Sequence, residues 1–348
     1  MKTPYRFLLA ALAAFPATGA LACATCGCTL SADAAMGYSS EPGWQFNLDY
    51  SYINQNQLRS GTGRATAQQL VNAPSNPSLG GGEVENQTRN RYLTLGLTYR
   101  PDPDWSVSFL VPYVDRGHST YGQQSQPYTP VTPDQLSSGT ASGLGDVKVM
   151  GAYQGFLATR NLGVQFGVKL PTGSYGGMAA DGSIVGHPAY FGSGGNSAGQ
   201  PLDTSLQTGN GSTDLIVGGY YYQPVSQDFD AFVNGQFQAA VAHRLNQAGA
   251  DFRPGNQTTV SFGLRYEADP ALVPQLQVNI SRKMADQGYL ADTTDTAGTA
   301  AYLSPGATVA LGQNLHGYAF LQLPVYRKLD GYQLAPKWTV SVGLSYSL

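Results

Sequence analysis

Charge, histidine and cysteine are all scarce in this chain, and each shortage closes off a class of function. Only 12% of its 348 residues are charged, and 19 Lys plus Arg against 22 Asp plus Glu leave a net charge of -3. That balance supplies no basic field, and no Lys/Arg cluster makes one locally, so nucleic acid is excluded as a partner. Past the N-terminus no segment is apolar for the ~18 residues that a spanning helix needs. The four histidines (His118, His187, His243 and His316) are scattered in or near expected loops. The three cysteines all lie in Cys23-Ala24-Thr25-Cys26-Gly27-Cys28.

What the chain does have is a rhythm of connections. Amphipathic segments of about ten residues alternate with tight and long joins, as an up-and-down membrane barrel requires, with short turns at one rim and free loops at the other. The expected strands are Gly43–Ile53, Asn90–Arg100, Trp105–Val114, Gly145–Phe156, Leu162–Leu170, Thr213–Gln223, Phe229–Val241, Thr259–Glu267, Gln275–Arg282, Gly306–Leu311, Gly317–Tyr326 and Trp338–Leu348. Tight joins fall at Pro101–Asp104, Thr159–Asn161, Pro224–Gln227, Ala268–Ala271 and Gln313-Asn314; the longest runs from Thr172 to about Ser212. The expectation is an all-β, antiparallel, up-and-down transmembrane barrel of about 12 strands, with both termini on the short-turn, periplasmic side and long extracellular loops.

Within the segments, apolar and polar residues alternate with period two. Val340, Val342, Leu344, Tyr346 and Leu348 share one face, while Ser341, Gly343, Ser345 and Ser347 share the other. The apolar face is assigned to lipid and the polar face to the lumen. Tyr and Trp gather near strand ends (Trp44, Tyr52, Tyr92, Tyr99, Trp105, Tyr113, Tyr153, Tyr221, Tyr222, Tyr326, Trp338 and Tyr346), where amphipathic rings are expected at headgroup level. A secreted β-sandwich also alternates, but it does not explain the regular switching of connection length.

Three regions follow. Met1–Ala22 reads as a secretory signal: Lys2 and Arg6, an apolar run from Phe7 to Phe15, then Ala20-Leu21-Ala22 as a small-x-small cleavage site. A lipoprotein signal is the alternative, with Cys23 as the lipidated residue. Residues 23–42 form a Cys-containing periplasmic segment that could fill the lumen as a short plug, and residues 43–348 form the barrel. The location expected is the outer membrane of a Gram-negative cell, with lipid, the barrel-assembly machinery and a small-molecule solute as partners.

Two passages echo each other. Asp146-Val147-Lys148-Val149-Met150-Gly151-Ala152-Tyr153 and Asp214-Leu215-Ile216-Val217-Gly218-Gly219-Tyr220-Tyr221 share Asp, an aliphatic residue, a second Val, Gly and Tyr at equal spacing, each after a Gly-rich approach. With Leu170-Pro171-Thr172-Gly173 and Leu323-Pro324-Val325-Tyr326, they resemble the outer-membrane barrel family named for the meta-cleavage pathway of phenol degradation, itself distantly similar to fatty-acid and aromatic-hydrocarbon channels. The resemblance covers most of the chain after residue 44 and implies a twelve-stranded barrel passing small molecules, without fixing the substrate.

Period two also places Asp146, Lys148, Lys169, Asp214, Arg265 and Glu267 on the wet face, where rows of both signs can tune a pore's selectivity or pair to stiffen the wall. The repeated Asp can equally bond backbone amides of its own turn. Cys23, Cys26 and Cys28 admit a disulfide, a lipid anchor, or a soft-metal site for Cu(I) or zinc; no haem motif fits, because Gly27 stands where His is required. Metal or thiol-redox work by these cysteines is thus the alternative to a channel for small, aromatic or hydrophobic solutes. A structural or surface-interaction barrel is the third reading. Asp115, His118 and Ser119 carry triad letters, but a triad is a matter of geometry, and no enzyme activity is expected.

Overall fold

A sheet that is wet on one face and lipid-facing on the other has to close on itself, because an open edge would leave backbone groups unpaired in hydrocarbon. The computed structural model of the chain describes residues 40–73, 82–125 and 127–348. The expected signal, the cysteine segment and most of the plug segment therefore lie outside the described residues.

The wall is built from β1 (Gly43–Gly61), β3 (Gly82–Arg100), β4 (Trp105–Gln124), β5 (Ser137–Leu144), β6 (Val147–Tyr153), β7 (Leu162–Leu170), β10 (Ser212–Pro224), β11 (Phe229–His243), β12 (Gln257–Tyr266), β13 (Leu272–Lys283), β14 (Gly298–Ala310) and β15 (Leu315–Ser347). Each pairs antiparallel with its neighbours in chain order, except that β5 and β6 both pair with β4 and not with each other, and the far end of β15 returns to β1, with Gln45 opposite Ser347 and Tyr52 opposite Val340. The result is a closed antiparallel barrel. The two-residue β2 (Gly63–Arg64) folds back antiparallel on the end of β1, and β8 (Gly176–Met178) with β9 (Ile184–Gly186) makes a separate hairpin in the longest connection. The short α1 (Ala67–Asn72) is closed by a Thr66/Gln69 capping box and packs Leu70 and Val71 on Val84.

Strands extend past their expected bounds on the side of the long connections: β1 runs to Gly61, β4 to Gln124, and β14 starts at Gly298. The extensions of β1 and β4 are largely polar on both faces, so there the amphipathic pattern stops before the ribbon does, whereas that of β14 mixes small and apolar residues (Ala300, Ala301, Tyr302, Leu303). The expected join between Tyr326 and Trp338 is likewise strand, turning at Gly331, whose φ of 59° suits a residue without a Cβ. β5 was not expected at all. It is Ser/Gly/Thr-rich, and with β6 it lines up along β4, interrupted at Gly145, whose N–H bonds to Pro112 O at 2.8 Å.

Burial is inverted relative to a water-soluble fold. Gln45, Asn47, Ser51, Gln55, Asn90, Gln275, Gln277, Asn279, Ser304 and Gln322 are buried, while Phe46, Leu48, Leu93, Leu95, Phe109, Phe166, Val217, Phe262 and Leu344 are exposed. Hydrogen bonds link buried side chains of adjacent strands along the inner wall, as from Gln275 to Thr308 (2.8 Å) and from Asn279 to Ser304 (2.8 Å). Several aromatic rings enter where the neighbouring strand leaves space: Tyr220 lies opposite Gly163, Phe232 opposite Gly263 and Phe320 opposite Gly306. A Cβ on Gly163 would stand 2.3 Å from the Tyr220 ring. Among the described residues no helix is long and apolar enough to cross a membrane.

Candidate functional site

The interior is commanded by the connection between β7 and β10, residues 171–211, which turns back against the inner wall. Arg116, on the inward face of β4, holds it. Its Nε donates to Asn90 Oδ1 (2.6 Å), Nη2 to the Tyr92 hydroxyl (2.8 Å), and Nη1 to the carbonyls of Ser205 and Gln207 (both 3.0 Å). Two wall groups thus aim one buried guanidinium, which grips the connection at its 3-10 turn, Thr204–Leu206. Leu202 is fully buried and Phe191 nearly so. The connection comes close because Gly139 of β5 has no side chain: a Cβ there would stand 2.6 Å from Leu202.

Four of the six charged residues expected on the wet face meet at the two roots of this connection. Lys169 is 95% buried at its side chain and bonds Asp146 Oδ2 at 3.0 Å, Asn210 Oδ1 at 2.5 Å and Ser212 Oγ at 3.0 Å, with Asp214 Oδ2 at 3.4 Å. Asp146 accepts the Gly173 N–H at 3.0 Å and the Asn210 N–H at 3.3 Å, so one carboxylate ties the outgoing and returning chain together. Asp214 accepts from Ser212 Oγ and from Gln238 Nε2, both at 2.5 Å. Lys148 lies beside Lys169 in register and donates to Gln238 Oε1 at 3.3 Å. Two lysines and two aspartates balance in charge. Asp146 does pair with Lys169, but the amides it accepts from belong to the connection, 27 and 64 residues away, and not to its own turn.

Arg265 and Glu267 form a separate group near the tight turns. Arg265 Nη2 meets Glu267 Oε1 at 2.9 Å, its guanidinium lies 5.7 Å from the Tyr222 ring centroid, and the Tyr222 hydroxyl reaches Asp230 and, at 3.2 Å, Glu267. Cys23, Cys26 and Cys28 lie outside the described residues. Among the described residues no group of three or more His, Cys, Asp or Glu could hold a metal ion.

The triad letters do not assemble. His118 points inward, its Nδ1 2.8 Å from Thr88 Oγ1, whereas Asp115 pairs outward with Arg91 at 2.6 Å and Ser119 meets Asn86 at 3.0 Å. Period two sends adjacent strand residues to opposite faces, which is why sequence neighbours here are not partners. His118 also proves to be a strand residue rather than a loop one. Sequence reasoning missed Arg116 and its partners Asn90, Ser205 and Gln207, and it assigned Tyr92 and Tyr222 to the headgroup level, whereas their hydroxyls are engaged with Arg116 and with Asp230. The only available signal was an arginine at an inward position of β4, and nothing in the pattern said that a loop carbonyl would fill its fork.

No family model and no curated protein matches the sequence. In structure, the chain resembles an outer-membrane channel from Pseudomonas putida F1, with a TM-score of 0.60 at 10% identity, covering 90% of this chain and 98% of that one. The β-domain of the Bordetella autotransporter BrkA follows at TM-score 0.45 and 14% identity, over 88% of this chain and all of that one. The toluene transporter TbuX of Ralstonia pickettii gives 0.43 and 10%, over 88% and 90%. The first likeness is one of fold; the other two are too loose to carry an argument. This protein shares the fold of outer-membrane barrels.

Proposed function

We propose that this chain is an outer-membrane channel for the passive passage of small solutes, aromatic or hydrophobic ones among them, through a lumen narrowed by the connection between β7 and β10. The observation that carries this reading is the inverted burial: a closed wall with amides and ion pairs inside and a greasy belt outside is built for lipid around it and a polar path through it. In the same proposal the wall has about twelve strand positions, between the filled eight-stranded and water-filled sixteen-stranded barrels. β5 and β6 share one position, β15 supplies two and β2 lies beyond the wall. The tight turns and the termini then face the periplasm and the long connections face outward. The likeness to the phenol-degradation barrels belongs to this proposal and rests on the Asp146 and Asp214 echo.

The test is electrical. In planar bilayers the full chain is expected to show small unitary conductance, and removal of residues 189–207 to raise it several-fold. Absence of conductance from both folded proteins overturns the channel. An unchanged conductance on deletion overturns the role of the connection and favours a barrel that works through its surface loops.

A further inference from the structure

The outer face of the wall carries cations where a lipid-facing belt should carry none. On β3 the outward positions below are Leu93, Leu95, Leu97 and Tyr99, but the two above them are Arg91 and Arg89, both exposed. Across the seam, Lys337 and Trp338 of β15 are exposed in succession, which a regular strand forbids. The cause is a register slip: Ile53 faces Thr339, yet Gln55 faces Pro336, so the extra residue turns Lys337 outward beside Trp338. On the same side of the barrel, Arg282 of β13 and Lys328 of β15 flank Thr299 of β14 in one row. The strands β13, β14, β15, β1 and β3 are consecutive neighbours, so these five cations lie on one contiguous sector of the wall. Asp115 pairs with Arg91.

Their height is marked independently. Tyr52 lies opposite Arg91, and its ring packs 5.7 Å from that of Trp338, the neighbour of Lys337. Tyr and Trp on a lipid-facing wall sit at the headgroup level. Arg91 and Lys337 are therefore at the depth of lipid phosphates, and Arg89 is one pleat further out, about 6.7 Å along the strand. The long connections rise from this end, so on the orientation given above the leaflet concerned is the outer one.

We propose that this sector binds the phosphorylated glycolipid of the outer leaflet, with Arg89, Arg91 and Lys337 contacting its phosphates and Tyr52 and Trp338 lying against its acyl chains. Guanidinium forks suit phosphate oxygens, and the slipped strand gives up ladder pairing in bringing a lysine out beside the ring, a cost that contact with a phosphate offsets. The inference rests on the outer-membrane orientation but not on solute passage, so a failure of conductance leaves it standing.

The experiment uses the full chain folded in neutral detergent and its thermal unfolding, read by the heat-dependent gel shift of the barrel. Bisphosphorylated lipid A is the probe, with dephosphorylated lipid A and inorganic phosphate as the other arms. Bisphosphorylated lipid A is expected to raise the midpoint by several degrees, and the combined Arg89→Gln, Arg91→Gln, Lys337→Gln variant to lose at least half of that rise. Arg244→Gln, outside the sector, is expected to keep it. Because all three side chains are exposed, the unliganded midpoints of the variants serve as the folding control. A full rise in the triple variant, an equal loss in Arg244→Gln, or an equal rise with dephosphorylated lipid or inorganic phosphate overturns the proposal.

Discussion

Lys169 shows what a single buried charge does in a polar interior. Its ammonium has three donors, and Asp146, Asn210 and Ser212 take them while Asp214 stands just beyond. Substituting methionine keeps the volume but strands two carboxylates away from water, a loss of the order of 3–5 kcal/mol for a broken buried pair. Lys169→Met is expected to lower the unfolding midpoint in urea, and Lys169→Met with Asp214→Asn to recover part of the loss; a double variant no better than the single one contradicts the pairing. Arg116 differs in kind. Its partners on the loop are carbonyls, so it fixes a backbone rather than balancing a charge.

At the scale of the element, the connections behave unlike the strands. In the segment joining β13 to β14, burial, reinforced by the Asp292 carboxylate, pushes Asp295 up to about 6 from 3.8. A carboxyl with a raised folded value binds more protons folded than unfolded, so its contribution is full below pH 3.8 and declines until about pH 6. Amide exchange in residues 284–297 is expected to quicken as pH rises through that window, after correction for intrinsic rates, and to hold flat above it. Asp295→Asn should flatten the profile. A wild-type profile already flat refutes the assignment.

Strands were legible because a wall between lipid and water imposes period two on residues such as Leu93 to Tyr99 and Val340 to Leu348. Asp146 and Asp214 could be singled out because Gly-rich approaches repeat before them. The polar ribbon from Glu83 to Arg89, the Ser/Gly/Thr strand β5 and the Arg116 grip were not legible. No continuous apolar face marks them, and partner choice there depends on contacts 26 to 91 residues away.

For the whole molecule, the inverted surface makes the direction of tolerance predictable. Leu95 is half exposed on the outer belt and Asn47 is buried within. An arginine at Leu95 would face hydrocarbon, at a cost of about 2–4 kcal/mol near mid-bilayer. Leu95→Arg is expected to reduce the folded fraction in lipid vesicles much more than in detergent micelles; an equal effect in both would place that face away from lipid.

The seam between β1 and β15 has a bearing on order in time. Every other junction of the wall joins strands close in sequence, but this one brings Gln45 to Ser347 and Tyr52 to Val340. Contacts of such long range carry the largest loop-closure cost and slow the step that makes them. Until the last strand is made, β1 is an open edge, able to pair with any strand that reaches it. Newly made protein thus needs a partner for that edge, and the final pairing converts an adhesive chain into a sealed one.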